Sequence, residues 1–259
     1  MNPTIDLNDC LERVVDWAKE VGKIHLHYFR GNNLNIETKS SSHDLLTVAD
    51  KESEAYIISR IKEYYPDHQI MAEESGLNEL VSDYCWVIDP VDGTTNFAQG
   101  IPVFAVSIAL QYKGESIVGV VLAPFLNELF TAVKGQGAFL NGKPIRVAQK
   151  SDLNSSLVCT GFPYDHGTNP DNNTDNVARV LPHCRDIRRM GAASYDLCCV
   201  GAGFFDGFWE FDLKAWDLAA AQIVIEEAGG IVYHFRTGRN ISIIAGNAAV
   251  VEQMKAYVC

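Results

Sequence analysis

The sequence carries little positive charge and has no long hydrophobic run. Its 259 residues include 21 lysines and arginines against 33 aspartates and glutamates, a formal net charge of −12. This balance disfavours non-specific binding to nucleic acids and anionic membranes. No apolar stretch is long enough to span a bilayer, and the first ten residues, MNPTIDLNDC, contain no apolar segment of the signal-peptide type. We therefore expect a cytoplasmic protein with no membrane partner and no direct nucleic-acid partner.

Cysteine pairs, serine-hydrolase motifs and dinucleotide-binding motifs are missing as well. The seven cysteines form no C-x-x-C pair, so neither a disulfide framework nor a zinc site is predicted. There is no G-x-S-x-G serine, and the glycine doublet at residues 135–137 lacks the third glycine of a dinucleotide fingerprint. These absences leave the acidic residues as the main candidates for chemistry.

A hydrophobic strand runs into two aspartates in the segment WVIDPVDGTTNF, residues 86–97. Proline has no N–H group for strand pairing, so Pro90 is expected to end the strand and leave the Val91 carbonyl free to face a ligand. Asp89 and Asp92 would lie on either side of this turn, where a carboxylate pair could hold a metal ion. The alternative is that the two acids only cap a turn.

The residues after this turn predict the start of a helix. Asp92 is the expected N-cap, and Gly93 lets the backbone approach another group closely. Unpaired amides and the helix dipole favour phosphate at a helix N-terminus. Carboxylates for a cation and amides for an anion thus meet in one loop, which indicates phosphoryl chemistry.

Two further segments place acids beside predicted elements. Glu73 and Glu74 follow a short predicted strand, and adjacent side chains of an extended segment point to opposite sides, so only one needs to face the site. Asp217 opens the apolar helix AWDLAAAQIVIEEAGG, residues 215–230, as N-cap or N-terminal residue. A plain capping role for Asp217 is the alternative.

Together these segments resemble the inositol monophosphatase family, a group of magnesium-dependent, lithium-sensitive phosphatases that includes fructose bisphosphatases and bisphosphate nucleotidases. The family motifs D-P-[VIL]-D-G-T-x-N-F and W-D-x-A-A…E-A-G-G are intact and in family order. The similarity runs from Lys39 to Gly230, and residues 135–147 and 187–203 are most similar to the bacterial inositol monophosphatase branch. It implies a phosphomonoester hydrolase that converts myo-inositol 1-phosphate to myo-inositol and phosphate.

The resemblance also implies oxygen ligands for magnesium. Glu73, Asp89 and the Val91 carbonyl would hold one ion. Asp89, Asp92 and Asp217 would hold a second, and a weaker third would lie within reach of Glu73. Carboxylate and carbonyl oxygens suit Mg²⁺ or Mn²⁺, and the absence of His and Cys from these segments argues against Zn²⁺. Two or three Mg²⁺ ions per site are expected, with Mn²⁺ able to replace them.

The family pattern further implies how water and phosphate are held. Glu73 and Thr94 would lie near the attacking water, with Asp50 hydrogen-bonded to Thr94. The amides of Gly93 and Thr94 would hold the phosphate. The implied substrate-binding residues are Asp92, Gly93, Thr94, Gly191, Ala193, Glu210 and Asp217.

Three supporting residues have structural alternatives. The pattern Thr47-x-x-Asp50 before a helix from Lys51 onward is also a capping arrangement, so both residues are open between cap and catalytic support. Lys39 has a family position beside the metals, although loop lysines are usually solvated.

Substrate choice is the most open point. Glu210 stands seven residues before Asp217, where the family places an acid that binds inositol hydroxyls. Gly191 and Ala193 match the small residues that line the same pocket, or else serve close helix packing. The string DGTTNF points away from the nucleotidase branch, whereas fructose 1,6-bisphosphate is not separated from inositol phosphate. A small phosphorylated polyol or sugar is expected.

An interaction function is the alternative of another class, because some bacterial relatives serve as partners of the transcription machinery. The intact acidic set favours catalysis, since an interaction module would have no chemical need for all of these acids. A homodimer is a family expectation.

Hydrophobic periodicity predicts a mixed α/β fold. Two opening helices are expected at residues 5–29 and 50–64. An antiparallel sheet is expected from strands at 103–112, 116–123, 128–133 and 145–148. The second half is expected to alternate strands and helices over 156–160, 175–182, 186–188, 192–202, 207–211, 216–228, 241–245 and 247–257. The resemblance implies a five-layer αβαβα sandwich in one domain, 1–259, with approximate halves 1–150 and 151–259.

Overall fold

The computed structural model describes residues 5–31, 34–38 and 45–259. Its helices are α1 Leu7–Tyr28, α2 Val48–Tyr64, α3 Thr94–Ala98, α4 Thr174–Val180, α5 Ala193–Gly201, α6 Ala215–Glu227 and α7 Ala248–Met254. Its strands are β1 Glu37–Thr38, β2 Leu45–Leu46, β3 Gln69–Ala72, β4 Gly76–Leu77, β5 Tyr84–Asp92, β6 Ala105–Tyr112, β7 Glu115–Ala123, β8 Glu128–Val133, β9 Gly137–Leu140, β10 Lys143–Pro144, β11 Leu157–Thr160, β12 Asp186–Arg188, β13 Gly207–Leu213, β14 Ile231–His234 and β15 Ile241–Gly246.

The larger sheet has eight strands in the order β10-β9-β8-β7-β6-β5-β3-β4. Its pairs are antiparallel except β3 with β5, which run parallel. Helices α1 and α2 cover one face, where Val14, Trp17 and Val21 of α1 belong to the same buried cluster as Trp86 and Val118 of the sheet. Apolar residues at helical spacing in α1 produce this buried stripe.

The smaller sheet has five strands in the order β12-β11-β13-β15-β14. Helices α5 and α6 lie between the two sheets and contact strands of both, which is why α6 is apolar on nearly all sides. Gly119 of β7 allows this close packing, because a Cβ there would meet the Ala220 carbonyl and the Ile223 side chain of α6. Helices α4 and α7 pack outside the smaller sheet. The predicted αβαβα order of layers is confirmed.

The predicted strand at 145–148 is wrong. The chain turns at Asn141 and Gly142, whose φ values of 49° and 74° suit a tight hairpin. Pairing with β9 then ends at Pro144, and the Val147 N–H donates instead to the Ala228 carbonyl at 3.1 Å. The sequence pattern also misses β14, an edge strand whose side chains are mostly exposed.

No helix within the described ranges is both long and apolar enough to cross a membrane.

Candidate metal and phosphate site

Strand β5 does not end at Pro90, contrary to the sequence-based expectation. Its pairing with β6 jumps from Asp89 opposite Ser107 to Asp92 opposite Ala105, so Pro90 and Val91 form a bulge. A bulge needs no pairing N–H from proline, and the strand resumes beyond it. The bulge places Asp89 and Asp92 on one short stretch, and the Asp89 carboxylate accepts the Val91 N–H at 3.0 Å.

Asp92 is not the N-cap of α3, contrary to the sequence-based prediction. Gly93 takes that position in the left-handed region, at φ 88°, and no side chain caps the helix. The Asp92 carboxylate points to the N-terminus of α5 instead. It accepts hydrogen bonds from the Ala193 N–H at 3.1 Å, the Ser194 N–H at 2.7 Å and the Ser194 hydroxyl at 2.5 Å. Asp92 therefore joins the larger sheet to the central helices.

Gly93 is the residue type that this loop requires. Its positive φ disfavours any L side chain, and an added Cβ would lie 3.0 Å from the Val103 carbonyl and 3.1 Å from the Ala192 Cβ. The tight turn presents the start of α3 to the cavity, where Gly93 and Thr94 both lie on the wall.

Glu73 comes to the site from the neighbouring strand. It directly follows β3, which is parallel to β5, and its N–H donates to the Ile88 carbonyl at 3.1 Å, one residue before Asp89. Glu73 lines the cavity, whereas the Glu74 N–H donates to Glu54 at 2.8 Å. The two successive glutamates thus take different surroundings, as the alternation of an extended segment predicts.

Asp217 arrives on helix α6. It is the third residue of the helix, and its carboxylate accepts the Lys214 N–H at 2.7 Å. The capping interaction expected as the alternative role is therefore present, and Asp217 lines the same cavity as Asp89 and Asp92.

A cavity of about 710 Å³ brings most of the predicted residues together. The predicted residues on its wall are Glu73, Asp89, Val91, Asp92, Gly93, Thr94, Gly191, Ala193, Glu210 and Asp217. Asp50 reaches the wall through the Thr94 hydroxyl, which lies 3.3 Å from Asp50 Oδ1 and 2.9 Å from the Val91 carbonyl. Asp50 and Thr47 also form the capping box of α2, which starts at Val48 rather than Lys51. Lys39 lies outside the described residues.

The carboxylates of the cavity oppose one another electrostatically. Burial, then the charges of Glu73 and other neighbouring acids, raises the pKa of Asp89 well above its usual range. Burial and Asp92 raise the pKa of Asp217 to about 8. Burial also raises the pKa of Asp92, against the hydrogen bonds from α5. Each of these shifts has the direction expected for acids that share a site without a cation.

The donor set fits a hard divalent cation, because it consists of crowded carboxylates and one backbone carbonyl. As they stand, no three His, Cys, Asp or Glu side chains of the described segments converge tightly enough to enclose an ion.

Sequence reasoning missed two charged residues of the cavity wall, Asp196 and Arg189. Asp196 on α5 is buried, and in the described part of the chain its Oδ1 has no hydrogen-bond partner. Burial and the Asp92 charge raise the pKa of Asp196 well above its usual range, while Arg189 acts in the opposite direction. A sequence signal existed for Asp196, since it lies one helical turn after Ala193. Arg189 carried no comparable signal.

Glu210 on β13 lines the same cavity. Burial, then the charges of Asp217 and Asp196, raises the pKa of Glu210 well above its usual range, again opposed by Arg189. Gly161 makes room for this carboxylate, because a Cβ at Gly161 would overlap the Glu210 oxygens. The cavity wall therefore carries Glu210 and Asp196 in addition to the acids predicted as metal ligands.

Known proteins share this sequence and fold along nearly the whole chain. Nus factor SuhB from Escherichia coli K12 is 42% identical over 255 residues, which cover 96% of each chain. Nus factor SuhB from Pasteurella multocida is 44% identical over 236 residues, 90% of this chain and 88% of that protein. The solved inositol monophosphatase from Anabaena superposes with a TM-score of 0.88 at 36% identity, covering 98% of this chain and 96% of that one. The IMPase structure from Thermotoga maritima superposes with a TM-score of 0.87 at 34% sequence identity, covering 96% of each chain.

The family model that describes the inositol monophosphatase family matches residues 6–258. It thus spans both sheets and every cavity residue named above. The chain belongs to the inositol monophosphatase family.

Proposed function

We propose that the protein is a Mg²⁺-dependent phosphatase that hydrolyses myo-inositol 1-phosphate to myo-inositol and phosphate. The observation that carries the proposal is the meeting of Glu73, Asp89, Asp92 and Asp217 beside the Gly93 turn, in one cavity. Family membership supports a metal-dependent phosphatase in general. The four acids supply the charge that would bind cations, and the turn supplies amides for the phosphate.

Glu73, Asp89, Asp92, Asp217 and the Val91 carbonyl would hold two or three Mg²⁺ ions, and Mn²⁺ would suit the same oxygens. When bound, such ions neutralise the phosphate oxygens, acidify the attacking water and stabilise the departing alkoxide. The protein would then contribute to catalysis mainly by positioning the reactants and by electrostatic stabilisation of the transition state.

The Thr94 hydroxyl is the group best placed to orient the attacking water. Its proton is donated to a protein acceptor, either Asp50 or the Val91 carbonyl. The lone pairs of the hydroxyl oxygen are therefore left to accept a hydrogen bond from a water in the cavity. Glu73, on the wall of the same cavity, would accept a proton of this water. The amides of Gly93 and Thr94 would hold the phosphate.

Other residues of the cavity wall favour a hydroxyl-bearing group. Glu210 and Asp196 offer carboxylate oxygens that accept hydrogen bonds from a polyol, and Gly191 and Ala193 leave room for its ring. A second phosphate placed here would face both acids, with the Arg189 guanidinium as a nearby cation. The charge balance therefore favours a polyol monophosphate over fructose 1,6-bisphosphate.

The test is phosphate release with magnesium from myo-inositol 1-phosphate, fructose 1,6-bisphosphate and adenosine 3′,5′-bisphosphate at equal concentration. Preference for the inositol ester supports the proposal. Preference for either bisphosphate would keep the reaction and replace the substrate, and absence of release from all three would overturn the phosphatase assignment.

A partner role in transcription is the second candidate, favoured by the name Nus factor SuhB of the relatives from Escherichia coli and Pasteurella multocida. Pull-down of RNA polymerase components from the native cell tests it. Capture by wild type and by an Asp92→Asn variant alike would support a role separate from hydrolysis. Capture that disappears in the variant would count against a separate role.

We also propose that the enzyme is a homodimer and that lithium inhibits it at millimolar concentration. Light scattering tests the first statement, and a lithium titration of phosphate release tests the second. A monomer, or complete resistance to lithium, would contradict them.

A further inference from the structure

His25 is a fully buried polar residue on helix α1. It continues the apolar stripe of Val14, Ala18 and Val21 toward the larger sheet, and its exposed fraction is 0%. A leucine or valine would fill this stripe without any polar group. Burying an imidazole is unfavourable unless a hydrogen bond compensates for the lost water.

The imidazole finds its partner in the bulge of β5. Its Nε2 lies 2.9 Å from the Pro90 carbonyl oxygen. Because a carbonyl only accepts, Nε2 carries the ring proton and Nδ1 carries none. Nδ1 is buried and has no hydrogen-bond partner among the described residues. The rings of Phe97 and Phe104 stand edge-on to the imidazole, with centroids 6.0 and 5.9 Å away, and hold it in this orientation.

The Pro90 carbonyl needs such a donor because the bulge removes it from the strand ladder. Pairing skips both Pro90 and Val91, and both residues are buried. The carbonyls of these two residues accept hydrogen bonds from different donors. His25 binds the first from α1, whereas the second receives the Thr94 hydroxyl at 2.9 Å beside the cavity.

We propose that His25 is a positioning residue of the site: by fixing the Pro90 carbonyl, it keeps the Val91 carbonyl turned to the cavity between Asp89 and Asp92. The inference rests on the proposed magnesium-dependent function. Partners one step removed from a metal ligand fix its direction, and their loss typically weakens metal binding or activity by about 10–100-fold.

The test compares His25→Leu, which removes the donor, with His25→Gln, whose amide nitrogen can reach the same carbonyl. His27→Gln is the matched control, since His27 lies on the exposed side of the same helix. Magnesium affinity is measured by calorimetry, kcat and KM by phosphate release, and stability by urea unfolding. We expect His25→Leu to bind magnesium about tenfold more weakly and to lose kcat, with His25→Gln recovering most of both.

A purely structural role would lower stability in His25→Leu but leave magnesium affinity and kcat at the wild-type level, which would overturn the proposal. If the leucine variant does not fold, the wild-type enzyme still decides the question. In protein carrying ¹⁵N-labelled histidine, the protected Nε2–H resonance of His25 should shift during a magnesium titration with the midpoint seen by calorimetry. A resonance that does not respond would contradict the positioning role, and a wild-type protein that binds no magnesium would instead remove the proposed function.

Discussion

At the scale of single residues, Asp92 has the most connected position in the site. It ends strand β5, accepts hydrogen bonds from two backbone amides and one hydroxyl of α5, and lines the cavity. One carboxylate therefore serves both the contact between layers and the charge of the site.

Replacement of Asp92 by asparagine should lower kcat by about a hundredfold or more, because it removes one negative charge from the proposed metal site. The variant is measured by phosphate release, with stability followed by urea unfolding. Asp83→Asn, at the exposed edge next to the start of the same strand, is the control and should leave kcat unchanged. Near-normal turnover of Asp92→Asn would refute the assignment.

Glu210→Gln should change substrate preference more than turnover of any one phosphate ester. The amide replaces a carboxyl group that would bind polyol hydroxyls, so the ratio of inositol phosphate to fructose bisphosphate activity should fall about tenfold, close to the value of one hydrogen bond. Glu226→Gln, an exposed residue near the far end of α6, is the control. An unchanged ratio would show that Glu210 does not select the substrate.

Residue types and spacing were sufficient to predict the four acids proposed as metal ligands, because each lies near the end or the start of a recognisable strand or helix. They could not show that Asp92 is bound by Ser194, since these residues are 102 positions apart and meet only when the layers pack. The arrival of Arg189 on the cavity wall is hidden for the same reason.

At the scale of elements, the start of α2 serves two purposes. The Thr47 hydroxyl and N–H donate to Asp50 Oδ2 at 2.5 and 2.8 Å, while Asp50 Oδ1 faces the Thr94 hydroxyl. The cap and the contact with Thr94 therefore use different oxygens of one carboxylate.

Two substitutions separate these purposes. Thr47→Ala should lose about 1 kcal/mol of stability, the usual value of an N-cap, and keep most of its kcat. Asp50→Asn should lose a similar amount of stability and also lower kcat, because the Thr94 hydroxyl loses its charged acceptor. Urea unfolding and phosphate release give the two readings. Equal kcat losses in both variants would mean that helix capping alone explains the effect.

Long elements with strong periodicity, such as α1 and β6 to β8, are the ones that the sequence predicts within a few residues. Pro90 misled the prediction for β5, because proline ends regular pairing but is accepted in a bulge. Edge strands such as β14 lack the alternation of buried and exposed side chains that would identify them.

At the scale of the whole molecule, the site lies where the larger sheet meets α5, α6 and the smaller sheet. Its acids come from separate parts of the chain, and their burial, followed by their mutual repulsion, opposes folding when no cation is bound. Metal binding and stability should therefore be coupled.

The coupling has a defined pH dependence. The pKa of Asp217 is raised in the folded state to about 8 from an ordinary value of 3.8, so its stabilising contribution is present at low pH and lost as the pH rises through about 8. The Tm of magnesium-free protein should fall by about 3 °C or more between pH 7 and pH 9. Added magnesium should raise the Tm more at pH 9 than at pH 7. Thermal unfolding with and without magnesium measures both changes. Asp217→Asn should flatten the dependence, and a wild-type Tm that does not change over this range would contradict the account.

The most direct test of the central claim is phosphate release from myo-inositol 1-phosphate by protein stripped of divalent cations, as magnesium is added back. We expect no activity without magnesium and saturating activity with it, reduced about a hundredfold by Asp92→Asn. Hydrolysis that persists after chelation, or that is equal in wild type and Asp92→Asn, would contradict it.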